Sequence, residues 1–252
     1  MAKPKDHKTL LEDATYSFVP ASYFKSNDMA EKSSIFDMIG PIMIGPSSSH
    51  TAGVAKIGRV ARRLLGVQPE RVVITFYNSF ARTYEGHGSD RAVLAGLLNF
   101  PPDDDRLKAS FTHAANEGMA YAFKASANAS ALHPNSIRIE MHHEIRKMEV
   151  MGVSRGGGLI SIVEIDKFTC NFTAEAYTLV INAQDIHGSV AFISSVIRHE
   201  NCNIATLTVN RRGKNTDARL VFELDSPVRT LTRDYLESLD WVEEVTYLEP
   251  IS

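Results

Sequence analysis

A run of small polar residues at positions 45–51, the GPSSSHT loop, is the strongest candidate for chemistry in the sequence. It leads into an amphipathic helical pattern, and the free amides and partial positive charge at a helix N-terminus favour a bound carboxylate or phosphate. Hydroxyl groups rotate to donate hydrogen bonds, and His50 exchanges protons near neutral pH. The same residues would also cap a helix without any ligand, so both interpretations stay open. The hydroxyl residues of this loop are Ser47, Ser48, Ser49 and Thr51.

A second candidate, the GHGSD loop at residues 86–90, also precedes a helical pattern. Its two glycines permit close approach of the backbone to a ligand, and His87 stands between them. Ser89 or Asp90 is predicted to cap the helix that follows. Since both loops open helices, they could converge at one end of a domain and bring His50 and His87 together. Taken alone, the GHGSD loop also fits a flexible turn.

Two other patterns give weaker signals. The triple glycine at residues 156–158 lacks the G-x-G-x-x-G spacing, so it predicts a tight loop rather than a dinucleotide site. His142 and His143 are adjacent in a predicted strand, where neighbouring side chains point to opposite faces. One site would hold only one of these histidines, and we therefore predict no metal site.

Apolar residues that recur every three or four positions predict a helix directly after the GPSSSHT loop, ending at Gly66. Further helices are predicted after Asp90 and over residues 104–117, and Ser34 is predicted to cap another short helix. Alternating apolar residues predict the strands of this part of the chain. These strands cover residues 72–77, 119–125, 137–141, 145–151 and 159–165.

The C-terminal part repeats a compact order of elements. Strands are predicted at 177–182, 203–210, 218–224 and 242–248, with helices near 190–197 and 229–239. This order, βαββαβ, is the ferredoxin-like arrangement. The turn before its first helix contains Asp185, His187 and Gly188, and its backbone amides could bind a small amino acid or form a plain turn.

The 252 residues, 44% hydrophobic and 23% charged, are typical of a globular protein with one large or two small domains. We predict a weakly ordered extension at residues 1–32, a first domain at 33–166, a linker at 167–175 and a second domain at 176–252. The net charge of −3 argues against a nucleic-acid surface. No run of about 18 apolar residues is present, and the N-terminus lacks the pattern of a secretory signal.

The sequence contains only two cysteines, Cys170 and Cys202. Two thiols cannot form a disulfide framework, so we expect a reducing, cytoplasmic location in which both act as small buried hydrophobes. They are also too few for the four thiolates that usually hold an iron–sulfur cluster.

Three motifs resemble the beta subunit of bacterial iron–sulfur-dependent L-serine dehydratase: SSIFDMIGP at 33–41, GPSSSHTAG at 45–53 and GHGSD at 86–90. The resemblance extends over about residues 33–252. It implies an α+β/α/β chain in which an allosteric-substrate-binding α/β domain precedes a ferredoxin-like ACT domain. It also implies self-association through the ACT domain.

The reaction implied by this resemblance removes water from L-serine to give aminoacrylate, which becomes pyruvate and ammonia without pyridoxal phosphate. A [4Fe–4S] cluster on a separate alpha subunit would bind the serine hydroxyl, so this chain alone would be inactive. The hydroxyls of the GPSSSHT loop would hold the substrate carboxylate, with Ser89 and Asp90 as further binding residues. His50 would accept the α-proton, and His87 would assist it.

The turn at 184–188 departs from the resemblance, because it reads QDIHG where the family reads close to NDRPG. Asp185 and Gly188 persist, but the Arg-Pro pair does not. Two alternative functions are a non-catalytic module that senses amino acids and a self-sufficient hydrolase or transferase that uses His50. No G-x-S-x-G elbow supports the hydrolase.

Overall fold

The computed structural model describes residues 42–129 and 131–251. The predicted N-terminal extension and the short helix predicted after Ser34 lie outside these residues. The described part of the chain contains helices and strands arranged around two sheets. None of the helices in this part is long and apolar enough to cross a membrane.

The first sheet has six strands in the order β2-β1-β3-β4-β5-β6. Strand β1 pairs in parallel with β2, and the other neighbouring pairs are antiparallel. The strands are β1 (Arg71–Tyr77), β2 (Ala120–Ser126), β3 (Ser136–His143), β4 (Arg146–Gly156), β5 (Leu159–Ile165) and β6 (Phe168–Phe172). All five strands that we predicted for this region are present. The alternation that predicted β3 matches full burial of Ile137, Ile139 and Met141.

The helices of this part are α1 (Gly53–Leu65), α2 (Asn78–Thr83), α3 (Ser89–Leu97) and α4 (Ser110–Asn116). A 3-10 turn at Asp105–Ala109 precedes α4, so the helix predicted over 104–117 has two parts. Helix α1 packs on β4 and β5 through a buried apolar face, and it ends at Gly66 in the left-handed region as predicted (φ 82°). Helix α2 was not predicted.

Helices α1 and α3 approach each other closely through two glycines. A Cβ atom on Gly58 of α1 would lie 2.6 Å from the carbonyl oxygen of Val93. A Cβ atom on Gly96 of α3 would collide with the carbonyl oxygen of Ala55. Since α1 and α3 begin at the GPSSSHT and GHGSD loops, this contact brings the two loops to the same end of the helix pair.

The second sheet has four strands in the order β10-β7-β9-β8, with every neighbouring pair antiparallel. Its elements are β7 (Tyr177–Gln184), α5 (Ser189–His199), β8 (Ile204–Arg211), β9 (Asp217–Leu224), α6 (Thr230–Glu237) and β10 (Val242–Leu248). This confirms the predicted βαββαβ order. A separate apolar cluster fills the space between these strands and helices, with Leu179, Ile193 and Phe222 at its centre.

Strand β6 lies inside the segment predicted as a linker, where it forms the outer strand of the six-stranded sheet. A buried arginine of β9 connects this end of the chain to the second sheet. Arg219 is 5% exposed and donates to the Ile165 carbonyl, to Asp166 at 3.1 Å and to Asn182 at 2.7 Å. Its guanidinium therefore holds β5 and the following turn against β7 and β9.

Strand β2 differs from the expectation for an alternating apolar strand. It is an edge strand, and its residues are mostly exposed; Tyr121, for example, is 38% exposed. Its aromatic side chains instead contact Phe111 and each other along the sheet edge.

Candidate active site

The GPSSSHT loop forms a single π-helical turn, Ser48–Ala52, that continues into α1. Ser47 precedes this turn with extended backbone, and its Oγ accepts a hydrogen bond from the His50 N–H at 3.2 Å. The Ser47 carbonyl accepts from the Thr51 N–H at 2.8 Å. The predicted capping role of this serine-rich run is therefore confirmed at Ser47, and the turn fixes His50 at the entrance of the helix.

His50 lies between the serine hydroxyls and a small aromatic cluster. Its Nδ1 shares hydrogen bonds with Ser49 Oγ at 2.9 Å and with Ser47 Oγ at 3.3 Å. The Nε2 atom is buried and has no hydrogen-bond partner among the described residues. The ring centre lies 4.9 Å from that of Phe80, edge to face, and 4.7 Å from that of His87.

The surroundings of His50 favour its neutral form. Burial lowers the pKa of its imidazole below 6.5, and the neighbouring charge of His87 lowers this pKa further. A neutral imidazole keeps one nitrogen lone pair. In the tautomer whose Nδ1–H donates to Ser49, that lone pair is on the unpartnered Nε2. In that tautomer, Nε2 is a buried proton acceptor.

Two reciprocal hydrogen bonds join the GPSSSHT loop to the GHGSD loop. Thr51 Oγ1 donates to the His87 carbonyl at 3.1 Å, and Ser89 Oγ donates to the His50 carbonyl at 2.8 Å. Thr51 is 1% exposed and Ser89 is fully buried. The convergence expected for the two loops is thus observed, and each histidine backbone is held by a hydroxyl from the opposite loop.

The predicted cap of α3 was wrong. Gly88 occupies the N-cap position in the left-handed region (φ 69°), and it makes no side-chain cap. Ser89 is already the first residue of the helix, and its hydroxyl bonds to the His50 carbonyl instead. Asp90 accepts from the Arg91 N–H at 2.8 Å, and burial raises the pKa of its carboxyl.

Helix α2 supplies two residues that sequence reasoning missed. Phe80 is fully buried and packs edge-on against His50. The Thr83 carbonyl accepts from the His87 N–H at 3.0 Å and lies 3.2 Å from His87 Nδ1. The three-residue spacing of Phe80 and Thr83 was an available but short helical signal. Phe80 therefore contacts the ring of His50, and the Thr83 carbonyl contacts the ring of His87.

A pocket of about 300 Å³ opens beside the two loops. Thr51 and His87 line it, as do two cationic side chains that the sequence did not single out, Arg91 and Lys108, and the anionic Glu85. Arg91 lies in the first turn of α3, two residues after Ser89. The pocket therefore combines hydroxyl, imidazole and cationic groups, a set suited to a small molecule with a carboxylate.

The predicted effector turn lies in the second sheet, between β7 and α5. Asp185 accepts from Arg211 Nη1 at 2.7 Å and from the Asn215 N–H at 3.2 Å. The hydrogen bond from Arg211 has the larger effect in lowering the pKa of the Asp185 carboxyl, and the one from Asn215 lowers it further. Gly188 is the N-cap of α5 and lies in the left-handed region (φ 85°), and His187 precedes it. Asp185 thus fastens its own turn to the loop between β8 and β9.

The thiols do not suit an iron–sulfur cluster. Cys170 and Cys202 are both buried and belong to separate apolar clusters, one in each sheet's core. Burial raises the pKa of the Cys170 thiol to about 12, which opposes the thiolate that a metal requires. Within residues 42–129 and 131–251, no three His, Cys, Asp or Glu side chains group so that they could hold a metal ion.

Comparisons with known proteins give a consistent result. The family model described as serine dehydratase beta chain matches residues 34–120. The chain is 38% identical over 213 residues to a probable L-serine dehydratase beta chain of Bacillus subtilis (strain 168), covering 84% of this chain and 96% of that protein. It is 35% identical over 217 residues to the L-serine dehydratase beta chain of Peptoniphilus asaccharolyticus, covering 86% and 98%. A shorter match, 43% over 76 residues, covers 28% of this chain and 16% of L-serine dehydratase 2 of Escherichia coli (strain K12).

Proposed function

Because the chain belongs to the family of serine dehydratase beta chains, we propose that it is the beta subunit of a two-chain enzyme that deaminates L-serine to pyruvate and ammonia. The observation that carries this proposal is the placement of the His50 imidazole among serine hydroxyls at the start of α1, with an Nε2 atom that has no partner among the described residues. Breaking the α-carbon–hydrogen bond of serine requires a proton acceptor beside a site for the substrate carboxylate. Both requirements meet at this end of the α1–α3 pair.

In this proposal, the GPSSSHT loop and the N-terminal turn of α1 bind the serine carboxylate through hydroxyl and amide donors. Arg91 and Lys108 of the adjacent pocket add positive charge on the same side. Ser47, Ser48, Ser49 and Thr51 are the hydroxyl residues predicted for this role. Because the hydroxyl of Thr51 already donates to the His87 carbonyl, Thr51 has a positioning role. Ser89 and Asp90 stay predicted binding residues, and the bond from Ser89 to the His50 carbonyl gives Ser89 a positioning role.

We assign His50 Nε2 as the atom that accepts the α-proton. Ser49 Oγ orients the ring through Nδ1, and Phe80 restricts its tilt. His87 is assigned to assist because its ring centre lies 4.7 Å from that of His50. The protonated imidazole that follows proton transfer is stabilised by the serine hydroxyls, which accept hydrogen bonds from Nδ1.

The described residues of this chain do not fit a [4Fe–4S] cluster, because both thiols are buried in separate cores. We therefore assign the cluster to the alpha subunit and derive no step of this chain through it. No pyridoxal phosphate enters the proposal. An alpha subunit that carries the cluster explains why the chain has so few cysteines.

We further propose an allosteric-substrate-binding domain that begins near residue 33 and ends with β6, followed by an ACT domain at 176–252, in a cytoplasmic enzyme. The segment predicted as a linker, 167–175, is mostly strand β6 and is therefore counted with the first domain. The antiparallel βαββαβ sheet supports the ACT assignment. Self-association through that domain and effector binding at Asp185, His187 and Gly188 are parts of the same proposal. Because Asp185 is bonded to Arg211, the effector would use mainly backbone donors of the turn.

The test is anaerobic co-purification of this chain with a cysteine-containing alpha chain, followed by an assay of pyruvate from L-serine. The complex should turn over serine, and His50→Gln should lower kcat by about 10²–10⁴-fold while the complex stays assembled. The matched control is His199→Gln, an exposed histidine at the end of α5, which should leave kcat unchanged.

Two results would contradict the proposal. Full turnover by His50→Gln would remove the proton-acceptor role. A complex that binds serine without forming pyruvate would instead support the alternative, a non-catalytic module that senses amino acids.

A further inference from the structure

A second pocket, of about 350 Å³, lies at the opposite end of α1 from His50. The 13 residues of α1 separate the two places by about 20 Å. The pocket is formed by elements that pack on both sheets. These are the last turn of α1 with Gly66, helix α6, and the end of β10 with the residue that follows it. The lining residues are Arg62, Arg63, Gly66, Arg233, Tyr247 and Glu249.

Positive charge dominates this arginine pocket, since three guanidinium groups face one exposed carboxylate, that of Glu249. Arg62 donates to the neutral side chain of Gln68 at 3.3 Å. Arg63 donates to the neutral side chain of Asn99 at 3.5 Å and to the Glu249 carbonyl at 3.5 Å. In the described part of the chain, none of the three arginines forms an ion pair with a carboxylate.

Arg233 is held in place while part of its hydrogen-bonding capacity stays unused. Its guanidinium stacks over the Tyr247 ring at 4.3 Å, and its Nη2 donates to Thr230 Oγ1 at 2.7 Å. Its Nε is buried and has no partner among the described residues. A buried donor without an acceptor costs free energy, which a bound anion would recover.

A role in stabilising helix α1 accounts for only two of the three arginines of the arginine pocket. Arg62 and Arg63 suit the C-terminal end of α1, where cations stabilise the helix dipole. Arg233 belongs to α6 and is directed by Tyr247 toward the same pocket, so the dipole of α1 does not explain it. Arginines gathered from separate elements, without carboxylate partners, are typical of sites for phosphate groups.

We propose that the arginine pocket binds a phosphorylated small molecule through its phosphate group. Three guanidinium forks match the oxygen atoms of a phosphate, and a volume of about 350 Å³ falls in the range of small-molecule pockets. The occupant bridges α1 to α6 and β10, and so contacts elements that pack on both sheets. This site is separate from the serine site and does not depend on the proposed reaction.

The test is isothermal titration calorimetry on the full chain at constant chloride concentration, with three probes: inorganic phosphate, adenosine 5′-monophosphate and adenosine. Adenosine 5′-monophosphate should bind at one site, and adenosine should not bind. Arg62→Gln, Arg63→Gln and Arg233→Gln should each weaken binding at least about tenfold, since each removes a charge-assisted hydrogen bond. Arg233→Lys keeps the charge but loses the fork, and it should give a smaller loss.

Arg106→Gln is the matched control, because Arg106 is exposed and already paired with Asp104 at 2.6 Å. It should leave the affinity unchanged. Inorganic phosphate that binds as tightly as the nucleotide would support the phosphate site and identify free phosphate as its ligand. The proposal is overturned if neither phosphate probe binds at up to about 10 mM. It is equally overturned if the three glutamine variants bind no more weakly than the Arg106 control.

Discussion

Replacing Thr51 by valine tests whether the two histidine loops are held together as the structure indicates. The Thr51 hydroxyl is 1% exposed, and it donates to the His87 carbonyl at 3.1 Å across 36 residues of sequence. Valine keeps the branched shape that packs beside Gly45 and removes only the donor. The change therefore leaves the His87 carbonyl without this donor and creates no cavity.

The expected loss follows from that partly buried hydrogen bond. Removing one partner of such a bond costs about 1–3 kcal/mol when the group left behind is poorly hydrated. For a chain of this size, about 2–4 °C in Tm corresponds to each kcal/mol, so Thr51→Val should lower Tm by roughly 2–12 °C. The effect on turnover should be larger than stability alone explains. A displacement of His87 relative to His50 by about 1 Å is enough to lower kcat by about 100-fold.

Urea unfolding of the full chain measures the stability, and pyruvate formation by the complex measures the turnover. Thr112→Val on the exposed side of α4 makes the same chemical change and should stay within about 0.5 kcal/mol of the parent. A double-mutant cycle with Ser89→Ala should give a coupling energy of about 0.5–3 kcal/mol, because both hydroxyls hold the same pair of loops. If Thr51→Val matched Thr112→Val in stability and turnover, the reciprocal hydrogen bonds would not be what holds the site.

Three further predictions follow from other contacts. The pKa of His50 is lowered in the folded chain, so the unfolded chain binds a proton at this residue more readily. As the pH falls through 6.5, the free energy of unfolding, measured with urea, should therefore decrease more for the parent chain than for His50→Gln. Gly96→Ala should cost about 1–3 kcal/mol in the same assay despite the better helix propensity of alanine, because the new Cβ meets the Ala55 carbonyl. Arg219→Met should cost about 3 kcal/mol, since it leaves Asp166 without its buried cation.

Each of these three predictions has a control that would contradict it. Equal pH dependence of the parent and His50→Gln would contradict the lowered pKa. Gly213→Ala should be tolerated, because its Cβ meets nothing nearer than 3.5 Å, and equal stability of the two alanine variants would contradict the close helix contact. Lys108→Met should cost less than about 1 kcal/mol, because Lys108 pairs with Asp105 at 3.1 Å between exposed side chains. A comparable loss from both variants would refute the bridging role of Arg219.

Local patterns located most of the secondary structure. The short apolar run Leu159–Ile165 predicted β5 with its observed bounds, and Gly66 marked the end of α1, because an apolar run and a left-handed glycine are local properties. The alternating burial of Phe168, Cys170 and Phe172 shows that a strand signal was present in the predicted linker. Five residues were too few to separate a short strand from a connecting segment.

The sequence by itself determined the candidate loops, the element order of the second sheet and the shortage of thiols for a cluster, since residue type and near-neighbour spacing are sufficient for these. Only the tertiary structure decided that His50 and His87 lie 4.7 Å apart, because the packing of Gly58 and Gly96 brings α1 and α3 together. It also decided that Ser89 holds the His50 carbonyl rather than capping α3. These contacts join residues 36 to 39 positions apart, and no local pattern specifies which buried donor will face which acceptor.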